Sequence, residues 1–297
     1  MTASSDRRGA IMVAAASVLF GTTGLFVYWL GHLPMPAILA YRYGLGALAF
    51  AAVALHPRAR ALLKPSRAAW PHHAGLGVLL VLVDVLFYTA IARIGVGLAA
   101  VLLYSAPLFV ALGAVILLEE RPGPRTWAGM AVGFLGVTLV VRPDVSRGLD
   151  VGVLAGVASG VAWAAWLLVS RDAGRRGASG ESQAAFADWT AAALAVPVAL
   201  AVAPILPDAR GLAVAAALGI VSGATSLLLF ARGLRLIDAS RASVIGYLEP
   251  ATAVALGALL LGERYGPLQA VGSALVLLGT WSVARRDGAA PAGVTSA

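Results

Sequence analysis

Apolar stretches recur along almost the whole chain, and short connections with Pro, Gly or Arg at nearly every break separate them. Most of them have roughly the 18–25 residues that an α-helix needs to cross about 30 Å of hydrocarbon. The pattern therefore predicts an all-α membrane protein with ten transmembrane helices. The predicted spans lie near 9–31, 35–55, 71–93, 95–118, 125–142, 149–170, 181–203, 209–231, 239–261 and 266–284.

The chain also repeats itself at an offset of 143 residues, where the segment 104–124 falls on 247–267. Each half carries five predicted spans, an odd number, so the second half is expected to enter the membrane in the opposite orientation. We therefore predict two inverted five-helix repeats, at 1–145 and 146–287, and a disordered tail at 288–297. Inverted repeats are the architecture of many secondary transporters. The identical pairs include Tyr104/Tyr247, Pro107/Pro250, Gly123/Gly266, Pro124/Pro267, Gly129/Gly272 and Gly136/Gly279.

Composition excludes a soluble domain, since hydrophobic residues make up 60%, charged residues 12%, and the mean hydropathy is +0.87. The net charge of +8 does not indicate a nucleic-acid partner, because the arginines form no basic stripe with interleaved aromatics. Cysteine is absent from the sequence, so no disulfide framework and no thiolate metal site is expected.

The basic residues instead predict orientation. Of the 22, sixteen lie on the side of the two termini and five on the other side, while Arg42 falls inside a span. Positive charge concentrates in cytoplasmic loops, so both termini are predicted to be cytoplasmic. The Arg-rich composition, with Lys64 as the only lysine, is typical of a GC-rich bacterium, which places the chain in a bacterial inner membrane.

Several segments resemble the EamA-type drug/metabolite transporter superfamily. They are "LLEERPGP" and "LLGERYGP", each followed by a Gly-rich last helix, with "LEPA" at 248–251 and the Arg of "AYRYG" at 40–44. The resemblance covers roughly residues 10–285. It implies a ten-helix exporter with a central cavity lined by spans one to four and six to nine, and substrates such as amino acids and related metabolites.

Two prolines occupy equivalent positions near the middle of spans four and nine, Pro107 and Pro250. A proline in a helix removes one N–H and clashes with the carbonyl four residues earlier. We therefore expect kinks that free the backbone of Leu103 and Gly246. Helix breaks at corresponding repeat positions typically mark a transporter binding site, although the same kinks could serve packing alone.

Aromatic residues at similar depth are the candidate substrate contacts. Tyr104 and Tyr247 add a hydroxyl beside each kink, and Tyr88 on span three joins them. Trp163 and Trp166 lie three residues apart, on one face of span six. Trp163 is too deep for the interfacial belt and is expected to form an apolar cavity wall, whereas Trp166 is expected nearer the interface. Simple packing is the alternative for both.

Four ionisable side chains fall inside predicted spans: Arg42, Asp84, Asp188 and Glu249. Each costs about 2.5–3.5 kcal/mol or more at the bilayer centre, so none should face lipid. Asp84 and Glu249 lie near the midplane and are candidates for proton coupling, with a hydrogen-bonded structural role as the alternative. Arg42 and Asp188 are expected toward opposite membrane faces, as unpaired structural charges.

These features predict a secondary transporter that exports small metabolites, most favourably aromatic or other neutral amino acids, by alternating access. Three intramembrane acids against one base disfavour anionic substrates, which need convergent Arg or Lys. A transporter of cationic drugs or other metabolites, a channel and an intramembrane enzyme are the alternatives. No cofactor, metal or nucleic acid is expected; membrane lipid and a small-molecule substrate are. The oligomeric state is not predicted.

Overall fold

The computed structural model describes residues 3–65, 67–141, 151–202, 206–262, 264 and 266–284. Throughout these residues the only regular secondary structure is helical. Apart from a 3₁₀ turn at Arg67–Ala69 and a π-helix at Leu218–Thr225, the helices are α1 (Ala3–Gly21), α2 (Thr23–Trp29), α3 (Met35–Ala54), α4 (Pro57–Leu62), α5 (Trp70–Leu103), α6 (Ala106–Leu117), α7 (Pro124–Val141), α8 (Val151–Arg175), α9 (Gly180–Val202), α10 (Ala209–Ala217), α11 (Ser226–Leu234), α12 (Ala239–Ile245), α13 (Leu248–Leu260) and α14 (Pro267–Ala284).

Nine helical stretches in the described residues are long and apolar enough to cross a membrane, and α6 is a shorter apolar helix. One of the nine, Arg67–Leu103, is 37 residues long. It is interrupted at Gly95, which has φ +81° and ψ 160°, a backbone conformation that glycine adopts without steric cost. Gly95 therefore marks the boundary between the two apolar stretches predicted at 71–93 and 95–118.

The segment from 96 to 117 and the segment from 239 to 260 are each interrupted once along their length. In the first, α5 ends at Leu103 and α6 begins at Ala106; in the second, α12 ends at Ile245 and α13 begins at Leu248. The two breaks fall at positions related by the same 143-residue offset that relates the sequences, to within one residue. The repeat in the sequence is thus also a repeat in local structure.

Helix packing between the halves has the same exchange symmetry. Four of the pairs that join the halves are α1 with α11, α5 with α8, α3 with α9, and α7 with α14. In the repeat, α1 corresponds to α8 and the first part of α5 corresponds to α11, so the α1–α11 pair is the counterpart of the α5–α8 pair. The α3–α9 and α7–α14 pairs each join two equivalent helices.

The α7–α14 pair shows why small residues recur on these helices. A Cβ placed on Gly136 would lie 2.6 Å from the carbonyl oxygen of Gly272, and one on Gly272 would lie 2.6 Å from the oxygen of Gly136. Gly129 and Gly279 meet in the same reciprocal way, at 2.9 and 2.7 Å. Any side chain here would force the backbones apart, so these glycines act in close helix packing.

Buried charges tie the two halves together on the side predicted to be cytoplasmic. Glu120 is 8% exposed; its Oε1 accepts hydrogen bonds from Arg171 and Arg175 of α8, both at 2.7 Å. Its Oε2 accepts the backbone N–H of Ala239 at 2.9 Å, at the start of α12. Glu120 thus caps the start of α12, which belongs to the other half of the chain.

Two further contacts on this side also join the halves. Asp6 pairs with Arg241 at 2.6 Å, and both side chains are buried. His72 lies 2.9 Å from Asp172, which also accepts a hydrogen bond from Arg176 at 2.6 Å. The predicted boundary at 145/146 and the predicted tail at 288–297 lie outside the described residues.

Candidate functional site

The two prolines start half-helices rather than kink continuous ones. Pro107 lies in the first turn of α6 and Pro250 in the first turn of α13. Proline is tolerated there because the N–H it lacks would have no intrahelical partner. The expectation that Pro250 leaves the backbone of Gly246 free is wrong, because the carbonyl of Gly246 accepts a hydrogen bond from the N–H of Glu249 at 3.0 Å. That short turn places the Glu249 side chain at the break.

A cavity lies between these breaks and the helices of both halves. Its larger lobe has a volume of about 120 Å³ and a smaller lobe has about 20 Å³. Both lobes are lined by Phe20, Leu103, Tyr104, Trp163 and Glu249. We call the two lobes together the central cavity. The larger lobe adds Thr23, Arg42, Tyr43, Leu80, Val83, Asp84, Phe87, Tyr88, Asp188, Gly223 and Leu227; the smaller adds Ser17, Ala106, Pro107, Phe230, Ser243, Gly246 and Tyr247.

Trp163 forms the aromatic wall of the central cavity. Its ring meets Phe20 edge-on at 6.3 Å between centroids and lies 5.9 Å from Phe230. Trp166 stacks behind it, at 5.2 Å with an interplanar angle of 11°. Trp166 is fully buried and lines neither lobe, so it lies behind the cavity wall and does not form part of the cavity surface. Its role is to hold the Trp163 ring in place.

The three candidate tyrosines reach different parts of the cavity. Tyr104 lines both lobes, and its hydroxyl is a hydrogen-bonding neighbour of the Glu249 carboxylate. Tyr88 lines the larger lobe next to Arg42. Tyr247 lines the smaller lobe and is 1% exposed, and its hydroxyl has no hydrogen-bond partner among the described residues.

Arg42 and Asp84 meet inside the larger lobe. Their closest atoms, Arg42 Nη1 and Asp84 Oδ2, lie 3.4 Å apart, while the hydroxyl of Tyr43 donates to the same oxygen at 2.5 Å. Tyr43 is not among the site residues predicted from the sequence, although a tyrosine next to an intramembrane arginine is a signal that could have identified it. Asp84 is therefore held chiefly by a phenol and more loosely by the guanidinium.

Asp188 lines the same lobe as Arg42, so the expectation that these two charges lie toward opposite faces is wrong. Asp188 is 2% exposed, and its Oδ2 has no hydrogen-bond partner within the described part of the chain. It belongs to α9, whose Trp189 donates to the carbonyl of Ala47 on α3 at 3.0 Å. This bond fixes α9 against α3, which carries Arg42.

The structure thus gathers all four intramembrane charges predicted from the sequence into one central cavity. Three are carboxyl groups and one is a guanidinium, surrounded by phenol and indole rings. In the described residues no group of three or more His, Asp or Glu side chains could hold a metal ion.

Comparison with known proteins identifies this arrangement. The sequence profile of the EamA-like transporter family matches residues 7–142 and, a second time, residues 150–285. The chain belongs to the EamA-like transporter family. It is accordingly a multi-pass membrane transporter for a small molecule, built from two copies of the family unit, and its relatives are transporters rather than enzymes.

Named relatives within the family carry different substrates. The chain is 28% identical over 240 residues to the threonine/homoserine exporter RhtA of Escherichia coli, a match covering 79% of this chain and 76% of that protein. It is 29% identical over 167 residues to a riboflavin transporter of Rhizobium johnstonii, covering 55% of this chain and 54% of that protein. A crystal structure at 22% identity matches with a TM-score of 0.80, covering 92% of this chain and 95% of the other, which shows the fold alone.

Proposed function

We propose that this EamA-family transporter exports small zwitterionic metabolites, amino acids first, through the central cavity by alternating access. The observation that carries the proposal is the composition of that cavity. Three carboxyl groups and an indole ring line the cavity. Among the described residues, a single guanidinium is the only basic group that lines it. Such a surface suits a ligand with an ammonium group and an apolar or aromatic side chain.

The ammonium group is assigned to the end of the cavity where Glu249, Tyr104 and Trp163 meet. Glu249 supplies a carboxylate and Tyr104 a phenolic oxygen beside it. The Trp163 ring can add a cation–π attraction of about 0.5–2 kcal/mol at this depth. Phosphorylated or dianionic substrates are disfavoured because they need several convergent basic groups.

Cavity size supports a small substrate. The larger lobe, at about 120 Å³, exceeds the roughly 10–15 Å³ that a single water molecule needs, so it has room for a small ligand. A small ligand is consistent with the substrate class of the threonine/homoserine exporter.

The membrane topology is part of the proposal: ten spans in two inverted repeats, with both termini in the cytoplasm of a bacterial inner membrane. The break at Gly95 supports the tenth span, because it makes 96–117 the counterpart of 239–260. The exchange symmetry of the helix pairs and the excess of arginine on one side support the inversion.

Coupling of export to protons is proposed through one of the cavity carboxyl groups; the sequence offers Glu249 and Asp84 as candidates, and the structure adds Asp188 as a third. A transporter of cationic drugs remains the alternative, since the same acids would attract a cation without a carboxylate. A channel is the third possibility.

The deciding experiment is a counterflow screen in proteoliposomes. Purified full-length protein is loaded with one unlabelled amino acid inside and supplied with the labelled form outside. Transient accumulation that saturates with concentration is expected for neutral amino acids. Saturable accumulation of organic cations alone would replace the proposal by the drug alternative, and flux without saturation or counterflow would indicate a channel.

A further inference from the structure

The central cavity contains a carboxyl group that the substrate model above does not use. Asp188 is 2% exposed, and its Oδ2 is buried without a hydrogen-bond donor in the described part of the molecule. The other two cavity acids each have a hydroxyl neighbour: Tyr43 donates to Asp84 at 2.5 Å, and Tyr104 faces Glu249. A bare carboxylate oxygen in such surroundings is costly unless something neutralises it.

The space around that oxygen restricts what could neutralise it. Asp188 lies against Gly46 of α3, where an added Cβ would come 2.5 Å from Oδ2 and 3.1 Å from the carbonyl oxygen of Gly219. The oxygen is thus enclosed by two helix backbones. An ammonium group or a metal ion needs room and several oxygen ligands, whereas a proton needs neither.

Its electrostatic neighbours come from two helices. On α3, Arg42 lies one turn before Gly46 and interacts electrostatically with Asp188; Tyr43 is adjacent to it. On α5, Asp84 and Tyr88 face the same lobe. On α11, which also packs against α9, the only charged side chain is Arg232, and it pairs with Glu181 at 2.7 Å, two helical turns before Asp188. Arg42 is therefore the cation nearest to Asp188 in the cavity.

Arg42 is positioned to respond to the charge of Asp188. Its contact with Asp84, at 3.4 Å, is longer than the 2.7–2.9 Å of a strong charged hydrogen bond, and its Nε is buried with no hydrogen-bond partner among the residues that the structure describes. The π-helix packs directly on it: an added Cβ on Gly219 would lie 2.8 Å from the carbonyl oxygen of Arg42. π-Helical turns frequently occur at functional sites, and here one supports the arginine between two acids.

We propose that Asp188 is the proton-binding carboxyl group that couples export to the proton gradient, and that Arg42 transmits its charge to the helices. When the cavity opens outward, Asp188 takes a proton from the outer solution. When it opens inward, the O–H bond breaks, the proton passes to cytoplasmic water and Asp188 becomes a carboxylate. Arg42 then moves from Asp84 toward Asp188, which changes how α5 and α9 pack on α3.

This inference rests on the proposed transport function, so one test does not use transport. In infrared difference spectra of the full-length protein in detergent between neutral and alkaline pH, a protonated carboxyl C=O band should be lost. That component should be missing from Asp188→Asn and present in the control Asp208→Asn, which alters a loop carboxylate that caps α10. Identical difference spectra for Asp188→Asn and wild type would overturn the proposal.

The second test uses proteoliposomes and an amino acid found by the counterflow screen. Asp188→Asn should still exchange labelled for unlabelled amino acid, while accumulation driven by a pH gradient falls at least tenfold. Asp208→Asn should keep gradient-driven accumulation. Gradient-driven accumulation that survives in Asp188→Asn would refute coupling through this residue, and so would loss of exchange together with accumulation. Absence of any exchange by the wild type would instead count against the transport function and leave the infrared result to decide the proton site.

Discussion

Replacing Trp163 by alanine tests the assignment of the substrate to the central cavity. The indole faces the cavity on one side and packs on Phe20, Phe230 and Trp166 on the other. The variant should still fold, because the three neighbouring rings remain in contact with one another through Phe230. Its unfolding temperature should fall, since each aromatic pair contributes about 0.5–1.5 kcal/mol beyond the area it buries.

The loss of affinity can be estimated in two parts. Removing the cation–π attraction costs about 0.5–2 kcal/mol. Uncovering about 40 Å² of apolar substrate surface, at about 25 cal/mol per Å², adds about 1 kcal/mol. The sum of about 1.5–3 kcal/mol corresponds to a rise in Kd of roughly 10- to 150-fold.

The assay is a ligand-induced shift of the unfolding temperature in detergent, measured over a range of amino-acid concentrations. The concentration dependence yields Kd separately from the lower starting stability of the variant. Trp163→Phe keeps an apolar wall and should lie between the alanine variant and wild type. Trp281→Ala is the matched control, since Trp281 is 55% exposed on α14 and lies outside the cavity. An equal ligand response in Trp163→Ala and wild type would place the substrate elsewhere.

Three further predictions address topology, stability and substrate charge. Reporters fused after Arg176 and after Arg286 should stay cytoplasmic, and one after Arg147 should be exported; a cytoplasmic signal at 147 would contradict the inverted repeats. Glu120→Gln should lose about 3–5 kcal/mol of stability because it breaks a buried ion pair. The control is Glu119→Gln, which alters the exposed neighbouring residue, and equal melting temperatures of the two variants would show that the Glu120 cluster contributes nothing. Glu249→Gln should weaken binding of a free amino acid more than binding of its N-acetyl derivative, as isothermal titration can measure; equal losses would separate Glu249 from the ammonium group.

Much of the architecture could be predicted from the sequence because membranes impose simple rules. Hydrocarbon thickness fixes the length of each span, so the apolar runs predict an all-α chain. The offset of 143 residues marks the equivalent prolines, and both turn out to begin half-helices beside the cavity. Trp163 could be assigned to a cavity wall because its depth excludes the interfacial belt.

Other features could not be read from the chain because they depend on which helices meet. The position of a residue in its span indicates its depth in the membrane but not the helix that it faces. The sequence therefore predicts that Arg42 and Asp188 lie apart, although they line one lobe. The same limit hid Tyr43, the buried position of Trp166, and the reach of Glu120 to α12 in the other half. The sequence alone determined the helices, their repeat and the presence of buried charge. Only the tertiary structure decided that four charges share one cavity, because contacts between distant segments arise from packing, which local sequence does not encode.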